Sequence, residues 1–568
     1  MTKALRKEGV DHPYVGELKR QLADKEIGRR DFLQTATMLG MSATAAYAFA
    51  GKVTGEKMVS RAKAADMPMG GTPTISARVQ DFTNPHADSW GNVATRTNYD
   101  YLAKTHVDNI TRPMMLESWS ASDDLRTWEF KLRPGINFHN GRQFTSDDAI
   151  WNIEHMLDDS TGSSVLGLMK DYMLNEVTKT VDGEEVTRHE IWDANAFEKV
   201  DDLTFRMNTK APNVGIPEHL WHYPAVMMDP EEGGVMKAGS NGTGPFPVVD
   251  FELGRRIRVE ANADYWARGM DFGGGKIGPY FDAVEFVDLG DDTSAFVAAM
   301  ASRQVMGGVL TDNAQIAIVE TLPHVDLYQK TTSITVIARG HTTTAPFDDP
   351  RVRKALRLAT DQQGVLALGV QGYGSVAEHH HVSPVHPDYY KLPFFGQNIE
   401  EAKRLLAEAG HPNLEMVIET RANPAWEINS AQALQEQWKA VGVNATVNVN
   451  PSSQYWPNWT KFPFSLTGWS HRPLAVMLLA LAYKSGVPWN ESNFSNAEFD
   501  EILAQAEGIL DAKERSLLVK RLEEIMQEDG PLVQSFWRDS FGAMDKRVLG
   551  YAQHPQAYFS LEEYAIAG

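Results

Sequence analysis

Apolar and polar positions along this chain switch repeatedly between the period of two that marks a strand and the three-to-four spacing that marks a helix. Trp128, Phe130 and Leu132 alternate with charged residues, which predicts a half-buried strand. Ala445, Val447 and Val449 predict another, and residues 414–420 and 283–289 two more. The helices are announced by their caps. Thr145 with Asp148 precedes a stripe of Ile150, Ile153, Met156 and Leu157. Asp349-Pro350 opens a helix that turns Val352, Ala355, Leu356 and Ala359 inward, proline being suited to the first helical position. Asn398 with Glu401 starts a stripe of Ile399, Ala402, Leu405, Leu406 and Ala409, which Gly410 and Pro412 stop. Ser495 with Glu498 and Asp511 with Glu514 start two more, the second ending at Gly530-Pro531. Residues 474–483 are apolar throughout but only about half the length of a membrane span, and predict a buried helix. This mixture predicts α/β lobes and not a helical bundle or an all-β sandwich.

Composition narrows the chemistry. The 568 residues suffice for several domains, and the formal net charge of −21 opposes binding to a phosphate backbone, so nucleic acid is not an expected partner. With no cysteine there is no disulfide, thiol catalysis or cysteine-ligated metal. No P-loop, H-E-x-x-H or G-x-S-x-G motif is present. His379-His380-His381, with His386 nearby, is the one candidate metal cluster, but adjacent residues on a strand point to opposite faces and the spacing matches no standard site. A polar loop is the plainer reading, and neither a metal nor a cofactor is expected.

The first 64 residues read as an address and a flexible start. Arg29-Arg30-Asp31-Phe32-Leu33 leads into the uncharged stretch 35–50, too short for a comfortable span, with small residues at Ala48 and Ala50. The order resembles a twin-arginine signal, which implies export of a folded protein to the periplasm. Cleavage after Ala50 and after Ala64 both fit.

Five separated segments resemble the family 5 extracellular solute-binding proteins, of the peptide, oligopeptide and nickel type. They are Leu116-Glu117-Ser118-Trp119 through the run from Arg133-Pro134-Gly135 to Asp147-Asp148; Gly242-Thr243-Gly244-Pro245-Phe246 with Asn262–Trp266; the run from Pro346 to Leu356; residues 402–410 with 434–443; and Phe494–Asp500. The resemblance implies an α/β, two-lobed periplasmic binding protein with an extra subdomain in a discontinuous first lobe. The expected division is 65–104, 237–336 and 541–568 for lobe I, 105–236 for the extra subdomain, and 337–540 for lobe II. It implies a monomeric receptor, not an enzyme, that closes on a solute and docks on the membrane subunits of an ABC permease. The alternatives are a nickel or metallophore receptor of the same fold and an exported hydrolase.

Peptide-binding members resemble one another at a Gly-Trp followed by acidic residues that are implied to hold a peptide amino terminus. Here Gly468-Trp469 is followed by Ser470-His471-Arg472, with no acid. An arginine fork suits a carboxylate, so the expected ligand is a peptide-like solute, carboxylated or opine-like. Arg472 as a structural ion-pair partner remains open at this point. The expected ligand-binding residues are Trp469, His471, Arg472, Trp489 and Asn490 from lobe II, with Phe82 and Asn84 in an early loop and Tyr101 on a helix from the other side.

Overall fold

The computed structural model describes residues 11–54, 67–88, 92–181, 184–272, 275–290 and 292–567. Its spine is a pair of long antiparallel strands, Val325–Gly340 and Leu532–Asp545, that run from one lobe into the other. Their register shifts between Lys330 and Ile334 and again between Thr335 and Ile337. Such bulges bend and twist a strand pair locally, and these sit where the lobes meet.

On the lobe I side the sheet continues through Gly307–Leu310, Thr74–Ser76, Ala283–Val287, Arg256–Glu260 and Val248–Glu252. On the lobe II side it continues through Phe464–Trp469, Leu414–Arg421 and Val443–Asn450. The last two are parallel, in register from Leu414 with Val443 to Arg421 with Asn450, joined by the helix Ala425–Trp438. The helices Pro350–Leu358, Gln362–Val370 and Ile399–Glu408 share a core with Ile418, Trp438 and Phe464. The extra subdomain holds a four-stranded sheet of Leu116–Ala121, Thr127–Leu132, Thr204–Asn208 and Phe197–Asp201. Trp128, Phe130 and Leu132 all point into its core.

The expected caps are present. Asp148 accepts the Thr145 N–H at 2.8 Å, Asp349 accepts from Arg351 N, and Asp511 from Lys513 N and Glu514 N. One is displaced by a residue: Asn496, not Ser495, caps Ala497–Glu507 by accepting from Phe499 N. The helix Ala475–Ala482 is buried all round, and among the described residues no helix is long and apolar enough to cross a membrane.

The N-terminal segment departs from the expected flexible start. It forms the helices Pro13–Ala23, Arg29–Met38 and Ala43–Thr54, which bury Val15, Leu18, Phe32, Leu33 and Met38. Tyr14 Oη and Gln21 Nε2 both donate to Asp511 of lobe II, at 2.5 and 2.8 Å. Trp119 Nε1 of the extra subdomain donates to Met38 O, and Tyr47 bonds Asp108. The segment therefore grips both lobes, because its apolar run finds a partner surface on the folded body. The expected cleavage point at Ala64 lies outside the described residues.

Candidate ligand cavity between the lobes

Strand Phe464–Trp469 delivers the site. Its Gly468 passes so close to the helix behind it that an added Cβ would lie 2.5 Å from Trp426 and 2.7 Å from Glu427, so only glycine fits. The chain then leaves the sheet, and Trp469 and Arg472 turn towards lobe I. A cavity of about 220 Å³ lies here. Lobe II contributes Arg421, Trp456, Trp459, Trp469, Arg472 and Trp489 to its wall; Tyr223, Gln556 and Tyr558 close it from the opposite side.

The aromatic walls meet edge to face. Trp489 stands 6.1 Å from both Trp459 and Trp469, with interplanar angles of 79° and 77°. Tyr223 faces Trp489 at 6.3 Å and Tyr558 at 6.0 Å. Such a box offers flat apolar area with a few N–H and O–H groups at its edges, suited to a planar or extended small molecule.

Two guanidinium groups border it, and their electrostatics differ. Arg421 stacks over Trp456 and forms two bonds, 2.6 and 2.8 Å, to the buried carboxylate of Glu427. Arg472 lies over the rings of Tyr223 and Trp489, 4.6 and 6.0 Å from their centroids. Its Nη1 donates to Tyr223 Oη at 2.9 Å and to the carbonyls of His471 and Ser470, all neutral acceptors. Its Nε has no hydrogen-bond partner among the described residues. Arg472 is 1% exposed, and among the described residues no carboxylate pairs with it. A buried cation without a counter-ion is costly, and it favours any ligand that brings a negative charge.

The other expected contacts are placed elsewhere. His471 is buried: Nδ1 accepts from Ser333 N, and Nε2 donates to Asn109 Oδ1 at 2.7 Å, which fastens lobe II to the extra subdomain. Burial holds its pKa well below the usual value, so it is a neutral strut. Asn490 spends its amide on its own loop, donating to Lys484 O and Phe494 O. Tyr101 is in an isolated bridge with Val226, not in a helix, and supports Tyr223 from behind by donating to its carbonyl at 3.0 Å. Phe82 packs on Phe251 and Asn84 donates to Thr161 O; neither borders the cavity. Three of the eight expected residues, Trp469, Arg472 and Trp489, are thus brought together. Trp456, Trp459, Tyr223, Tyr558 and Arg421 join them without having been anticipated. The run Gln454-Tyr455-Trp456-Pro457-Asn458-Trp459, rich in aromatics yet polar between them, was the available signal.

The three histidines lie in an irregular loop, as expected, but one that is fully buried. His379 Nδ1 accepts from Gln534 N, His380 Nδ1 from Val382 N, and His381 Nδ1 bonds Tyr483 Oη at 2.7 Å. His381 packs edge-on against Trp469 at 5.5 Å, so the loop backs the cavity wall. Among the described residues no three His, Cys, Asp or Glu side chains converge on a common point. A larger cavity, about 710 Å³, lies under the N-terminal helices. Its wall is made by residues 29–47 and by residues from Asp108 to Phe272, with none from lobe II, so it is not between the lobes.

Comparison with known proteins agrees with this fold. Haem-binding protein A of Haemophilus influenzae is 26% identical over 498 residues, covering 80% of this chain and 84% of its own. The oligopeptide-binding protein AppA of Bacillus subtilis is 24% identical, covering 83% and 86%. The structure of AppA with a nonapeptide superposes with a TM-score of 0.73 over 89% of this chain and 100% of that one. The binding protein AgaA in complex with agropinic acid gives 0.75, at 22% identity, over 88% and 99%. Residues 111–491, well over half of the chain, match the family description itself, and the chain belongs to the bacterial extracellular solute-binding proteins, family 5.

Proposed function

We propose that this chain is the periplasmic capture component of an ABC importer, taking a small peptide-like solute that carries a carboxylate and delivering it to the membrane permease. The observation that carries the reading is Arg472: a buried guanidinium without an acidic partner among the described residues, facing an aromatic box between two lobes. The bulged strand pair supplies a hinge, so ligand contacts from both sides favour the closed arrangement. Arg29-Arg30 and the short apolar run behind them support export by the twin-arginine route. Relatives named for haem, oligopeptides and agropinic acid support a solute receptor whose specificity is set by cavity residues on a shared scaffold.

The test is a thermal-shift screen of the chain from residue 65 onward against dipeptides, N-acylated dipeptides, opines, sugars and nickel–histidine. A ligand at a hundred times its dissociation constant stabilises by about 2.7 kcal/mol. Carboxylated peptide-like compounds should shift the wild type and fail to shift Arg472→Ala. Shifts confined to sugars or nickel complexes would overturn the ligand class.

A further inference from the structure

The aromatic walls do not fix themselves. An indole packed at its edge can rock about its side-chain bonds unless its N–H is anchored, and here the anchor of Trp469 and the support of the turn carrying Trp459 meet at one ion pair. Trp469 Nε1 donates to Glu491 Oε1 at 2.6 Å. The other Glu491 oxygen forms an ion pair with Arg339. Arg339 in turn donates to the carbonyl of Trp459 at 3.2 Å and lies 3.5 Å from Tyr455 Oη, at the start of the turn that carries Trp456 and Trp459. The third wall is reached through the chain: Glu491 N donates to Trp489 O at 2.9 Å, in the loop that Asn490 pins at both ends. Arg339 and Glu491 are 1% and 2% exposed, and neither borders the cavity.

Stability alone gives this arrangement no rationale, since a buried ion pair is often no better than apolar residues of equal volume. Its directional bonds do what apolar packing cannot: they set the rotation of one indole and the backbone position of another. We propose that Glu491 is the positioning residue of the ligand cavity, fixing Trp469 directly and the turn that carries Trp459 through Arg339. The proposal rests on reading the cavity as the ligand site, but its test needs no ligand.

The chain is labelled with 5-fluorotryptophan, and the fluorine resonances of Trp459, Trp469 and Trp489 are assigned by single Trp→Phe substitutions. Trp128 and Trp266, neither of which lines the cavity, are assigned likewise as references. In Glu491→Met, the signals of Trp469 and Trp459 should move by more than a linewidth while the references stay. In Glu491→Gln, which restores an acceptor but no charge, the Trp469 signal should return towards its native position and that of Trp459 should remain displaced. The control is Asp388→Asn, which breaks the Asp388–Arg515 pair, also fully buried at 2.8 Å but bordering no cavity wall. It should lower the melting temperature and leave all three signals in place. Unmoved Trp469 and Trp459 signals in Glu491→Met, or equal movement in Asp388→Asn, would overturn the proposal. If Glu491→Met does not fold, Arg339→Met/Glu491→Met removes both charges at similar volume, and the same two signals must move. Failure of every solute to bind would count against the cavity's role without altering these spectra.

Discussion

Arg472→Met separates a ligand contact from a structural ion pair, because the two roles give opposite signs in the empty protein. The side chain is buried, its acceptors are a hydroxyl and two carbonyls, and among the described residues no carboxylate offsets its charge. Replacing it with an apolar chain of similar length removes an uncompensated buried cation, so the empty protein should melt at the same temperature or slightly higher. With a carboxylated ligand the sign reverses. A hydrogen bond to a charged partner contributes about 1.5–3 kcal/mol, so affinity should fall roughly ten- to 150-fold at about 1.4 kcal/mol per decade. Arg472→Lys keeps the charge but not the fork and should fall between. The assay is titration calorimetry with the best solute from the screen, repeated with its methyl ester. The ester should bind wild type more weakly by a similar factor and be nearly insensitive to the substitution, closing a double-mutant cycle on one interaction. Unchanged affinity for the acid, or a melting temperature that drops by several degrees in the empty variant, would refute the argument and make Arg472 structural.

Gly468→Ala places a Cβ 2.5 Å from Trp426 and 2.7 Å from Glu427; overpacking of this kind should cost about 1–3 kcal/mol in a denaturant titration, and an unaffected midpoint would show that the helix behind the strand yields freely. Stability should also depend on pH in a specific sense. Burial pushes Asp100 and Glu507 up to about 7, Glu218 to about 8 and Glu523 to about 9, so the native state holds protons that the unfolded state has released, and stability is lost as pH rises through 7–9. Burial pushes His86, His219 and His554 down to about 3, so below about 6.5 the unfolded state takes up protons that the native state refuses, and stability is lost in that direction too. Thermal scans should show melting temperature falling from pH 6.5 to 8.5; a rise over that interval would contradict the burial of these acids. Finally, Asp511→Ala should cost about 1 kcal/mol for the lost helix cap in a chain starting at residue 65, and more in the full chain, where Tyr14 and Gln21 also bond it. Equal costs in both chains would mean that the N-terminal helices do not dock as described.

How much of this was legible in the sequence depends on whether the signal was local. The caps at Thr145, Asp349, Asn398 and Asp511 are statements about three or four neighbouring residues, and each opens a helix where the pattern put it. The strand at Trp128–Leu132 was readable because alternation is itself a local property of a half-buried strand. The cavity was legible only where one chain segment carries it. Gly468 and Trp469 sit in a recognisable order, and Arg472 stands out by replacing an expected acid. Trp459 and Tyr223, by contrast, face each other's neighbourhood only because the sheet brings residues more than 200 positions apart to one cleft. His471 and Asn490 show the converse: they are polar residues beside a site, but a buried polar group must first satisfy itself, and both bond within the scaffold. Arg472 escapes that rule, since its neighbours offer only neutral oxygens and leave Nε unmatched. That shortfall is a three-dimensional fact about which carboxylates the fold brings near among the described residues, and in an acidic chain no reading of composition could have supplied it.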